Sequence, residues 1–96
     1  MEPDSGDSNL RVEVSHLRRA LDALRGGDTN GALNLCQSDA ILFANGQFAP
    51  EREIISIEAL LRLGRIEEAK ARTKKFREDY PSLDLPVTIT EIVRAP

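Results

Sequence analysis

Apolar positions mark out the elements of this chain. From about Asn9 to Gly26, Val14, Leu17, Leu21 and Leu24 recur at intervals of three and four, which is one face of an amphipathic helix. Gly26-Gly27 ends it, because glycine accepts the left-handed backbone that closes a helix. Asp28 then stands where an N-cap belongs, its carboxylate available to the free N–H groups of a second helix from about Thr29. That helix carries Ala32, Leu35 or Cys36, Ala40 and Phe43, and is expected to end near Asn45-Gly46. Pro50 opens a third helix, with Glu51 and Glu53 at the positive end of its dipole. Its apolar residues, from Ile54 to Leu63, wrap most of the circumference, so it should be central, with neighbours on more than one side. Gly64 closes it. A fourth helix, about Arg65 to Asp79, has a narrow stripe of Ile66, Ala69, Thr73, Phe76 and Tyr80, as suits an outer helix, and Pro81 stops it.

The two ends of the chain follow other patterns. Residues 1–8 are polar and acidic, with Pro3 and Gly6, which predicts disorder. In the tail, 83–96, Leu83, Leu85, Val87 and Ile89 alternate with polar residues like a strand that Pro86 would confine to an edge. Leu85, Ile89, Ile92 and Val93 also fit helical spacing, with Asp84 as cap, and a short fifth helix is the favoured assignment. The fold class expected is therefore all-α.

The first and second helix pairs repeat a motif. Leu24-Arg25-x-Gly27 followed by Ala32 matches Leu61-Arg62-x-Gly64 followed by Ala69, each residue displaced by 37 positions. Glycine makes the tight turn between two helices, and the alanine five residues later lets the second helix approach the first closely. Ala59-Leu60-Leu61-Arg62-Leu63-Gly64-Arg65-Ile66-Glu67-Glu68-Ala69, with the closing Tyr80-Pro81, resembles the tetratricopeptide repeat (TPR) of bacterial type. The resemblance covers about residues 10–82. It implies a right-handed α-solenoid fragment in a domain over 9–82, with one helix hairpin at about 9–46, a second at about 50–81, and the tail as a short capping helix. The first unit departs from the pattern: no proline closes it, and the displacement exceeds the usual repeat of about 34, the extra residues falling in 44–50. Two units are also fewer than the three or so needed for stability, which implies a capping tail, self-association or attachment to a partner.

Such repeats act as receptors for proteins or peptides, lining a concave face with the first helix of each pair. Carried over by position, that face comprises Val14, Leu17, Leu21, Leu24 and Arg25 from the first unit and Glu51, Ile54, Glu58, Leu61 and Arg62 from the second. An amphipathic helix or extended apolar segment would suit it. The alternatives are that Leu17, Leu21 and Leu24 are ordinary core, and that Arg25 and Arg62 only complement helix C-termini. The resemblance implies a non-catalytic interaction module; adaptor, secretion chaperone and sigma-factor-associated module stay open. A homodimer burying the apolar tail residues is the second possibility.

Composition narrows the chemistry further. Ninety-six residues make one small domain, and Lys plus Arg at 13 against Asp plus Glu at 16 gives a net charge of −3, unlike a basic nucleic-acid binder. The basic cluster Lys70, Arg72, Lys74, Lys75 and Arg77 shares its helix with Glu67, Glu68, Glu78 and Asp79, so a solvated face accounts for it better than phosphate contact. One Cys excludes an internal disulfide, and one His argues against a metal or triad site. Cys36 is expected as a small buried thiol and His16 on the surface or a helix flank. No cofactor, metal or catalytic residue is expected, and the chain reads as no enzyme. The longest apolar run, Ala40–Ala44, is far below the roughly 18 residues of a membrane span. The first residues lack the basic and apolar pattern of a targeting peptide, which predicts a cytoplasmic chain or a soluble piece of a longer anchored protein.

Overall fold

A computed structural model describes the backbone of residues 5–94 and the side chains of residues 9–92. It contains five helices: α1 (Ser5–Arg25), α2 (Thr29–Leu42), α3 (Ala49–Arg62), α4 (Ile66–Asp79) and α5 (Val87–Arg94). There is no strand among the described residues, so the chain is all-helical and the tail alternation is not a β pattern. α1 begins at Ser5, so residues 5–8, expected as disordered, are helical backbone. Residues 1–4 lie outside the described residues.

Each boundary has a local cause. Asp28 accepts the Gly31 N–H at 3.0 Å and so caps α2, as its sequence position suggests. Pro50 lies in the first turn of α3. The two glycine turns are built alike. Gly27 and Gly64 have φ of 92° and 77°, and in each the following residue reaches back five positions, Asp28 N–H to Ala23 O at 2.8 Å and Arg65 N–H to Leu60 O at 2.9 Å. This left-handed closure satisfies carbonyls that the helix end leaves free. α5 starts differently from expectation: the Pro86 carbonyl takes the Ile89 and Thr90 N–H groups at 3.0 and 3.2 Å.

The core runs along one seam. Ala20 and Leu24 from α1, Ala32, Leu33 and Cys36 from α2, Ile55, Ile57, Ala59 and Leu60 from α3, Ala69 and Phe76 from α4, and Ile89 from α5 form one buried cluster. The motif alanines, Ala32 and Ala69, are both fully buried, which permits close approach of the helices that carry them. α1 packs on α2 and α3; α3 packs on α2, α4 and α5; α4 packs on α5, while the α2 and α4 backbones stay apart. α3 is thus the central helix, as its wide apolar face predicts. Two buried hydroxyls on these helices bond within their own helix: Ser56 donates to the Arg52 carbonyl at 3.2 Å and Thr73 to the Ala69 carbonyl at 2.8 Å. In α2 the inward positions are Ala32, Leu33, Cys36 and Asp39, whereas Ala40 is exposed. The expected stripe misjudged this turn because it gave the core-facing position to an alanine and the structure gives it to a carboxylate.

Candidate protein-binding surface

The ten residues expected to line a receptor face divide three ways. Leu24 is 1% exposed and belongs to the core, so it presents nothing to a partner. Leu17, Leu21, Ile54 and Leu61 are half-buried and pack against that core, and Val14 and Glu58 are half-buried too. Arg25, Glu51 and Arg62 are exposed. The two helices bearing them, α1 and α3, are in contact. Arg62 ties their ends together: Nη1 donates to the Leu24 carbonyl at 2.8 Å, placing a cation at the negative end of α1. Arg62 therefore complements a helix C-terminus, but that of the neighbouring hairpin. Of the ten, only Leu17 lines any of the three surface hollows described next.

A buried polar cluster, absent from the expected set, holds the α2–α3 loop on α1. Glu13 is 5% exposed. Its two carboxylate oxygens accept the Gln47 N–H at 3.1 Å and the Phe48 N–H at 3.0 Å, next to the start of α3. Arg52, itself buried, stands 3.7 Å from Glu13 and donates to the Phe43 carbonyl at 3.3 Å. A carboxylate from α1 thus caps α3 from across the fold and meets the positive end of its dipole. Gly46 leaves room for this approach: a Cβ there would overlap the Glu13 carboxylate and force it to move. One sequence signal pointed here: Glu13 occupies the apolar stripe of α1, three residues after Leu10 and four before Leu17, and a charge on a core-facing stripe needs a partner.

His16 is not a free flank residue. Its Nδ1 lies 2.9 Å from Asp39 Oδ1, with Asp39 buried, and its ring meets Phe43 edge-on at 5.2 Å. A small hollow between α1, α2 and α3 is lined by Glu13, His16, Asp39, Phe48 and Arg52. Cys36 is buried, as expected. Burial pushes its thiol up, opposed by a hydrogen bond with Ser56, while the Asp39 carboxylate raises it further. His16 and Cys36 are thus engaged by different partners. Cys36 and Ser56 help line a cleft of about 220 Å³ between α2, α3 and α4, together with Ala40, Ala44, Arg72 and Lys75. Both oxygens of Glu53 lie close to Arg72 Nη2, at 2.6 and 2.9 Å. Among the described residues, no group of three His, Cys, Asp or Glu is placed to hold a metal ion.

The basic cluster of α4 is largely neutralised. Lys70 faces Glu67 at 3.9 Å, Arg72 faces Glu53, and Lys75 faces Asp79 at 3.0 Å, an exposed pair that raises the lysine's proton affinity. The Lys70 and Lys75 pairs are solvent-screened and stabilise little, whereas the Arg72–Glu53 pair is part-buried. Among the described residues, no helix is long and apolar enough to cross a membrane. No family model matches the chain, and no curated protein or solved structure matches it.

Proposed function

We propose that the chain is a non-catalytic protein-binding module of TPR-like helix hairpins, presenting the face formed by α1 and α3 to a protein or peptide partner. The observation that carries this reading is the internal repetition. The two glycine turns make equivalent hydrogen bonds 37 residues apart, and each is followed by a fully buried alanine. The order of contacts supports it as well, because α1, α3 and α5 follow one another in contact while α2 and α4 are held apart. Such an array leaves Val14, Leu17, Leu21, Ile54 and Leu61 only half-covered, with Arg25 and Glu51 exposed on the same two helices. Recognition works by preorganisation, since packed helices have already given up the conformational freedom that a partner's docking would otherwise remove.

The test is affinity capture with wild type, Leu21→Glu, Leu61→Glu and Arg25→Glu, each checked for native helicity by circular dichroism. A partner retained by wild type and lost by the variants that keep their helicity supports the reading. Arg25 is exposed in the last turn of α1, so its variant reports on binding with the core side chains left in place. Capture unchanged in Arg25→Glu and in every helical leucine variant overturns it.

A further inference from the structure

The outer face of α2 is almost free of charge. In a chain in which 30% of residues are charged, the stretch from Thr29 to Pro50 contains a single ionisable residue other than Cys36, and that residue, Asp39, is buried against His16. Nothing charged reaches solvent from α2 or from the loop behind it. Asn30, Asn34, Gln37, Ser38 and Ile41 are all exposed and fall at helical spacing on one outward stripe. Ile41 is 84% exposed and the adjoining Leu42 63%, the first being the most exposed large apolar side chain among the described residues. Beside them Leu10, Val12 and Phe43 line a shallow hollow between α1 and the loop. Depletion of charge together with projecting apolar side chains is the composition of an interface core.

We infer that this outer face of α2 is a two-fold interface between two copies of the chain. The partner follows from the chemistry of the stripe. An amide carries both donor and acceptor, so a row of Asn and Gln is complementary to an antiparallel copy of itself, which a row of carboxylates or ammonium groups cannot be. The net charge of −3 on each copy opposes association elsewhere but places no like charges across this face. The patch also bears both a knob, Ile41, and a hollow, as a self-complementary surface must. Two 14-residue helices lie against each other over about 21 Å, so the contact belongs with weak, transient interfaces, below about 1,200 Å² in total. The dimer is therefore weak and concentration-dependent.

Sedimentation equilibrium of the whole chain, from about 1 to about 500 μM so as to span weak affinities, tests the inference. The expected wild-type mass climbs from 10.6 kDa towards twice that value. Ile41→Lys sets a cation on both copies at the interface and should stay monomeric throughout with unchanged helicity; Asn34→Lys, also exposed, gives a second reading of the same kind. Val87→Lys, at a 67% exposed position on α5, should dimerise like wild type. A wild type that remains monomeric at the highest concentration overturns the inference. So does a dimer that survives both α2 substitutions or that Val87→Lys dissolves, since the contact would then lie elsewhere.

Discussion

Replacing Glu13 should be among the most costly single changes in this chain. The carboxylate accepts two backbone N–H groups and faces Arg52, which is 8% exposed. Each hydrogen bond to a charged acceptor contributes about 1.5–3 kcal/mol, although bonds sharing one carboxylate do not add independently. Removing the acid also strands a buried guanidinium, a class of change costing about 3–5 kcal/mol. Glu13→Ala is thus expected to lose about 3–5 kcal/mol, a large share of the roughly 5–14 kcal/mol available to a chain of this length. Glu13→Gln keeps the volume and one acceptor and should lose about half as much. Urea unfolding followed by circular dichroism at 222 nm measures this; at about 1.5 kcal/mol per molar the Ala variant's midpoint falls by about 2–3 M. Arg52→Met should cost less than Glu13→Ala, because the carboxylate retains both N–H donors. A Glu13→Ala midpoint within about 0.3 M of wild type, equivalent to 0.5 kcal/mol at that slope, or the reverse order of the two variants, would refute the capping argument.

Two further predictions follow from the turns and the thiol. Gly27→Ala and Gly64→Ala meet no atom within 4 Å of the added Cβ, so each should lose only the cost of a left-handed backbone, about 1–2 kcal/mol, and Asn at either site less; a melting temperature unchanged in both alanine variants would contradict the turn geometry. Cys36 keeps its proton in the folded state above its ordinary value of 9.0, whereas the unfolded thiol releases it there. The folded state then binds more protons, and stability falls as pH rises above about 9, by at most about 1.4 kcal/mol per pH unit. Cys36→Ala should lack that extra alkaline loss, and parallel stability curves for the two proteins between pH 8 and 10 (~) would argue against a desolvated thiol.

How much was legible depended on whether the cause was local. Glycine at φ > 0, Asp28 as a cap and Pro50 in a first turn act within a few residues, so the helix order and most boundaries could be read from sequence. Periodicity likewise placed Leu24, Ala32, Ala69 and Phe76 on buried faces. The tail was ambiguous because its apolar spacing satisfies both periods; the structure makes Val87–Arg94 helical, with Ile89 buried while Leu83 and Val87 of the alternating pattern are exposed. The start of α1 was misplaced because polar residues 5–8 carry no apolar face, yet a helix nucleated downstream extends into them. The Glu13 cap, the His16–Asp39 pair and the Arg62 bond to Leu24 join residues 34 and 35, 23, and 38 positions apart. No local rule reaches across such distances. Sequence by itself determined four helices and two repeated turns, since backbone preference and hydrophobic period are properties of a short segment. Only the tertiary structure decided which polar groups the core would accept, because a buried charge is stable only where packing brings its partner to it.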